Sequence, residues 1–114
     1  MHKIFIFSFL SFIFCAGAHA LVDKNTASLR VMNKAAGRAH TIEIPVGETR
    51  NDDKLAITVR SCKRTDPYAA ENDFAFVEIT KSDKLIFSNW MNKNDLGANP
   101  VQDADWDIWL TACK

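Results

Sequence analysis

Apolar and polar side chains alternate with a period of two along most of this chain, and this pattern limits the possible folds more than any other feature. Successive side chains of a β-strand point to opposite faces, so the alternation predicts strands with one covered face. It occurs in six segments, at residues 28–33, 39–46, 55–62, 73–80, 85–90 and 103–113. We expect an all-β protein, a small antiparallel β-sandwich or partly open barrel of about six strands.

Two of these segments carry further information about their place in the sheet. Residues 73–80 are apolar on both faces, which predicts a central strand. In the last predicted strand, one face is apolar and the other carries both polar and apolar side chains. Its predicted core face holds Trp106, Ile108, Leu110 and Ala112, and its other face holds Asp105, Asp107, Trp109, Thr111 and Cys113. The aromatic part of the core is expected to come from Tyr68, Phe74, Phe76, Phe87 and the tryptophans.

The first twenty residues have the grammar of a secretory signal peptide. Lys3 provides the positive start, residues 4–14 the apolar stretch, and Ala18-His19-Ala20 the small-residue cleavage site. We therefore predict that residues 1–20 are removed and that residues 21–114 form a single β domain. Such a protein would be periplasmic or secreted, without membrane insertion after cleavage.

Cysteine usage agrees with that compartment. Cys15 would leave with the signal peptide, and only Cys62 and Cys113 would reach an oxidising environment, where they are expected to pair. Closing a loop of this length would stabilise the fold by roughly 4 kcal/mol. The alternative is a reactive thiol, but the chain has no C-x-x-C motif and no histidine near either cysteine in sequence.

Charge and motif content disfavour several classes of function. The chain has 14 Lys and Arg against 14 Asp and Glu, and loss of Lys3 would leave a slight acidic excess, which predicts no nucleic-acid partner. His40 would be the single remaining histidine, too few for an imidazole zinc site, and is expected to be a half-exposed sheet residue. The D-x-D-x-D run at 103–107 resembles a calcium loop but has Ile108 at its glycine position. We predict no catalytic, metal or cofactor site.

Tryptophan is concentrated near the end of the chain, at positions 90, 106 and 109. Trp109 would be an exposed anchor if one side of its strand is covered, and a core residue if both sides are covered. Residues 91–102 have no periodicity and predict an irregular loop, a common place for function. The candidate binding patch is Trp90 and Trp109, with this loop beside them.

Several segments, in this order, resemble a known family. They are MNKAAGRAHTIEIPVGE at 32–48, LAITVRSC at 55–62, ENDFAFVEI at 71–79, IFSNWM at 86–91 and NPVQDADWDIWLTAC at 99–113. With V-R-x-C, F-S-x-W-M and D-x-W-x-x-x-C in sequence, the chain resembles domain of unknown function 2155 (DUF2155), exported alphaproteobacterial proteins. The resemblance implies a small exported domain with a Cys62–Cys113 pair, and brings no known activity, cofactor or partner.

These observations favour a non-catalytic envelope accessory or interaction module with an envelope protein as its partner. One alternative is an inhibitor of a periplasmic or extracellular hydrolase, because a rigid loop binds at little entropic cost. A small hydrolase using paired carboxylates is the third reading, although no spacing selects a pair. The oligomeric state is left open.

Overall fold

The computed structural model describes residues 20–114, so the predicted signal peptide lies outside the described residues except for Ala20. These residues form an all-β domain. Its strands are β1 (Val22–Asp23), β2 (Thr26–Asn33), β3 (Arg38–Pro45), β4 (Thr49–Asp52), β5 (Leu55–Arg64), β6 (Asp73–Lys81), β7 (Lys84–Asn92) and β8 (Trp106–Cys113). Within this part of the chain, no helix is long and apolar enough to cross a membrane.

The strands form two antiparallel sheets that face each other without closing into a barrel. The five-stranded sheet has the order β1-β5-β6-β7, and β4 pairs with the same edge of β5 as β1. The three-stranded sheet has the order β3-β2-β8. The predicted sandwich is confirmed, and the apolar strand β6 lies between two neighbours, as its sequence indicates.

The core lies between the sheets and consists mainly of aliphatic side chains. The five-stranded sheet contributes Leu55, Ile57, Val59, Ala75, Val77, Ile79, Phe87 and Met91, and the three-stranded sheet contributes Ala27, Leu29, Val31, Ile42, Ile44, Trp106, Ile108 and Leu110. Aromatic side chains contribute less to the core than predicted. Phe87 and Trp106 are buried, whereas Phe74 and Phe76 are half-buried, on the outer face of β6.

Register shifts occur in β5, β7 and β8, and those in β5 and β8 change which side chains near the two cysteines reach this core. Val59 pairs with Val77 but Ser61 pairs with Phe76, so Arg60 is an extra residue in β5. Thr111 is likewise extra in β8. Each extra residue inverts the alternation that follows it, because the side-chain period of a strand is two. The prediction that Ala112 faces the core and Cys113 the other side was therefore wrong.

Both cysteines follow a bulge, and both are buried. Cys62 in β5 and Cys113 in β8 form a disulfide with a Cα–Cα distance of 5.7 Å. This bond joins the five-stranded sheet to the three-stranded sheet. The predicted disulfide is confirmed, and a disulfide-bonded domain is compatible with export.

Two short strands were not predicted from the sequence. β4 has the polar sequence TRND and β1 is only two residues long, so neither shows an apolar face. Both are held by backbone pairing to β5. Thr49 and Thr58 add a cross-strand hydroxyl contact of 2.6 Å. These strands depend on the neighbouring edge rather than on burial of their own side chains.

Candidate interaction surface

Trp90 lies on the outer face of the five-stranded sheet. Its neighbour Met91 is buried, and side chains alternate between faces along a strand, so the Trp90 ring points away from the core. It is 38 % exposed. The ring meets Phe76 edge to face, with 5.5 Å between centroids and 80° between planes. This contact gives the exposed indole a defined orientation.

Trp109 lies on the outer face of the other sheet. Its neighbours Ile108 and Leu110 are buried, while Trp109 is half-buried. With Met91 and Leu96 it lines a narrow cleft of about 10 Å³, room for about one water molecule. The two predicted patch residues therefore point away from opposite sides of the sandwich. Both lie on strands that are joined by the segment between β7 and β8.

That segment, residues 93–105, is here called the edge loop, and it contacts the strands on both sides of it. Asn99 Nδ2 donates to the Trp90 carbonyl at 3.0 Å, which satisfies a group on the free edge of β7. Val101 is buried and anchors the loop in the core, whereas Leu96 is 50 % exposed beside Trp109. The loop thus holds an apolar side chain in solvent next to an indole.

Asp103 fixes the last turn of the edge loop. Its Oδ2 accepts hydrogen bonds from the backbone N–H groups of Asp105 at 3.0 Å and Trp106 at 3.1 Å. Lys81 Nζ lies 3.2 Å from the same carboxylate and 2.7 Å from Asp105. Burial alone would raise the pKa of Asp103, but these backbone and lysine hydrogen bonds hold that pKa below its usual value.

The connection between β5 and β6, residues 65–72, is here called the tyrosine loop. Tyr68 was predicted to belong to the core, but it is 94 % exposed. Asp66 Oδ1 accepts from Tyr68 N at 2.8 Å and the Asp66 carbonyl accepts from Ala69 N at 2.9 Å, an Asx-type turn. Thr65 N donates to Asn72 O at 3.0 Å, and this hydrogen bond joins the two ends of the tyrosine loop. The Asp66-Pro67 turn signal was the sequence feature that could have placed Tyr68 in solvent.

Three asparagines connect the two loops, and we call Asn72, Asn92 and Asn94 the asparagine clamp. Asn72 Nδ2 donates to Asn92 Oδ1 at 2.8 Å, and Asn94 N donates to Asn72 Oδ1 at 3.1 Å. Asn94 Nδ2 also donates to the Glu71 carbonyl at 2.7 Å. The tyrosine loop and the start of the edge loop therefore form one connected surface at one end of the domain.

A buried carboxylate lies beneath this surface. Asp73 Oδ1 and Oδ2 accept from Arg64 Nε at 2.9 Å and Nη2 at 3.2 Å, and Oδ2 also accepts from Cys113 N at 2.9 Å. Burial alone would raise the pKa of Asp73, but the hydrogen bonds from Arg64 and Cys113 outweigh it and lower that pKa. Asp73 thus ties β5 and β6 to the last strand of the opposite sheet.

A shallow cleft of about 320 Å³ runs along the tyrosine loop. Its wall includes the basic residues Lys24 and Arg64 and the acidic residues Asp66 and Glu71, so opposite charges are balanced across it. Lys93 lies 3.5 Å from Glu71 and adds a further ion pair. The surface around Tyr68 therefore carries no strong field of either sign.

Other residues singled out by the sequence lie elsewhere. His40 is exposed on β3, where its Nε2 lies 2.5 Å from Asp52 Oδ2 of β4. The carboxylates of Asp103 and Asp105 both form ion pairs with Lys81. Among residues 20–114, no three His, Cys, Asp or Glu side chains converge in an arrangement that could hold a metal ion.

Comparison with known proteins places these features in a wider group. A family model described as an uncharacterized protein conserved in bacteria, DUF2155, matches residues 27–113. Curated proteins and solved structures gave no match to the chain. The matched region begins in β2 and ends at Cys113, and so includes both loops, the asparagine clamp, Asp73 and the disulfide. The chain therefore belongs to DUF2155.

Proposed function

We propose that this protein is a non-catalytic, exported interaction module that binds an envelope protein through the edge loop and its flanking tryptophans. The observation that carries the proposal is the presence of exposed or half-buried apolar side chains on an anchored loop and on the two strands that flank it. These side chains are Trp90, Leu96 and Trp109.

The anchoring of the edge loop supports this proposal energetically. A partner that binds a disordered loop must offset the entropy of ordering it, whereas an ordered loop avoids most of that cost. The hydrogen bond from Asn99 and the buried side chain of Val101 order this loop before any partner arrives. Tryptophan is also the side chain most enriched among residues that dominate binding energy.

The proposed compartment rests on two independent features. Residues 1–20 have the order of charged, apolar and small residues that directs secretion. The Cys62–Cys113 disulfide needs an oxidising environment to persist. An envelope or extracellular location satisfies both requirements.

The test is mild crosslinking of the tagged protein in its native cells, purification without reductant, and mass spectrometry of the recovered proteins. We expect one reproducible partner. Leu96→Ala and Trp90→Ala should each weaken its binding by about tenfold. Leu85→Ala is the matched control, because Leu85 is 59 % exposed and lies near the start of β7, at the opposite end of that strand from Trp90. Recovery of the protein alone, with its disulfide intact, would contradict the proposal.

A second candidate is inhibition of an envelope or extracellular hydrolase, and the tyrosine loop favours it. This loop is held by its own hydrogen bonds and projects a side chain into solvent, which suits insertion into a concave site. Purified protein would then reduce the activity of a protease or lysozyme in a dose-dependent way. A flat dose response across such enzymes would exclude this candidate.

A further inference from the structure

We infer that Tyr68 is the anchor by which this end of the domain enters a concave pocket on a protein partner. The inference rests on the proposed function, since it names the residue and the kind of partner for the same surface.

The exposure of Tyr68 sets it apart from the other apolar side chains of the described chain. It is 94 % exposed, against 59 % for Leu85, the next most exposed of the large apolar residues. It is also the single tyrosine of the sequence. With so little of its surface covered, the ring contributes almost nothing to the stability of the fold. Its aromatic area is fully available for burial by another molecule.

The backbone that carries Tyr68 is already ordered. Asp66 accepts hydrogen bonds from the N–H groups of Tyr68 and Ala69. Pro67, which lies between Asp66 and Tyr68, has a fixed backbone dihedral φ. The Thr65 hydroxyl donates to the Ala70 carbonyl and accepts from Asn72 N, both at 3.0 Å. The position of the ring is therefore restricted to rotation about its own side-chain bonds, which lowers the entropy lost on binding.

The base of the tyrosine loop is braced in turn. Arg64 and Asp73, the residues at its two ends, form an ion pair whose carboxylate is buried, and Asp73 also accepts a hydrogen bond from the backbone N–H of Cys113. The asparagine clamp fixes the side of the loop that faces the edge loop. Binding sites act reliably when the residues that carry the anchor are themselves held by a supporting layer.

The shape and charge of this end indicate the kind of partner. A side chain that projects from a convex turn is complementary to a pocket, whose walls should be apolar for the ring and whose base should offer a hydrogen-bonding group to the hydroxyl. Lys24 and Lys93 are balanced by Asp66 and Glu71 around the loop. Nucleic acid and anionic lipid both require a basic surface, so a protein pocket fits best.

The experiment places a photoreactive side chain at the tip of the loop in the full chain. Tyr68→p-benzoylphenylalanine is expressed in native cells and irradiated, with Leu85→p-benzoylphenylalanine as the matched control. We expect position 68, and not position 85, to crosslink to one discrete protein. Tyr68→Ala should raise the Kd for that protein at least about 30-fold. Tyr68→Phe should raise it by less than about tenfold, because only one hydrogen bond is lost.

The outcomes separate this inference from the proposal on which it rests. Tyr68→Ala should leave the unfolding temperature unchanged, so that weaker binding reports the contact and not the fold. If Tyr68→Ala binds the partner as tightly as the wild type while Leu96→Ala does not, the anchor is overturned and the interaction module stands. If the wild type recovers no protein, both are overturned. Tyr68-dependent binding to phosphatidylcholine and phosphatidylglycerol vesicles, without a protein crosslink, would replace the protein pocket with a membrane surface.

Discussion

Asp73 shows how one side chain can connect both sheets of a small domain. Of the residues that the structure describes, it is the one charged side chain that is fully buried. A buried carboxylate is costly unless hydrogen bonds replace its water, and Asp73 receives two from Arg64 and one from Cys113 N. The ionised form is therefore favoured in the folded protein. Its contribution to stability depends on pH.

We predict that Asp73→Asn lowers the free energy of unfolding by about 3 kcal/mol at pH 7. The amide nitrogen cannot accept the hydrogen bonds that the carboxylate accepts. The pKa of Asp73 is lowered by folding, so its stabilisation is complete above the unfolded value of about 4 and is lost as pH falls through the folded value. Urea unfolding at a series of pH values should show the two proteins converging below about pH 4.

Asp23→Asn is the control for this measurement. Asp23 forms an ion pair with Lys63, but its side chain is 84 % exposed, so the change should stay within about 0.5 kcal/mol. Equal losses of unfolding free energy for the two variants would show that the buried Asp73 carboxylate stabilises the fold no more than an exposed one.

Strands that bury a face were predictable, and strands or loops held by hydrogen bonds were not. Burial alternates along β5 and β6 because one face of each meets the core, whereas β4 pairs through its backbone at an edge and has no apolar period. The bulge at Thr111 also left no trace in composition, so the burial of Cys113 was missed. Tyr68 was assigned to the core from its aromatic ring, although the Asp66-Pro67 turn controls its position. Trp90 and Trp109 were singled out from the sequence. The asparagine clamp was not, because it depends on contacts between distant residues that no short sequence pattern encodes.

Removal of the Asp103 side chain should destabilise the last turn of the edge loop. We predict that Asp103→Ala lowers the free energy of unfolding by about 1.5 kcal/mol, as for loss of a good helix cap, because two backbone N–H groups lose their acceptor. Hydrogen exchange at Asp105 and Trp106 should become faster in the folded state. Asp105→Ala provides the comparison, since it removes only a 58 % exposed partner of Lys81 and should cost less than about 0.5 kcal/mol. Faster exchange throughout the domain, rather than at this turn, would argue against a local role.

The domain as a whole is held by a modest core and by bonds that cross between its sheets. The disulfide closes a sequence separation of 51 residues. In the unfolded chain such a closure removes conformational entropy worth about 4 kcal/mol, which is a large share of the 5 to 15 kcal/mol typical of a domain. The disulfide and Asp73 lie at the same end of the domain, next to the tyrosine loop and the start of the edge loop.

We predict that the double variant Cys62→Ala with Cys113→Ala is less stable than the oxidised wild type by about 4 kcal/mol in denaturant unfolding. The wild type treated with reductant should approach the same stability. A double variant that unfolds at the wild-type denaturant midpoint would mean that the unfolded chain already keeps these regions close.

The pairing of β2 with β8 has a consequence for how the chain acquires its structure. Strands β5, β6 and β7 follow one another directly and can form as successive hairpins. β2 must instead wait for β8, because Thr111 reaches the Ser28 carbonyl across 83 residues. Until β8 is available, the β2–β3 hairpin keeps an open edge that can pair wrongly with other chains. A protein of this design gains its final order only when β8 has paired with β2, and chaperone protection of that hairpin would matter most in the interval before this pairing.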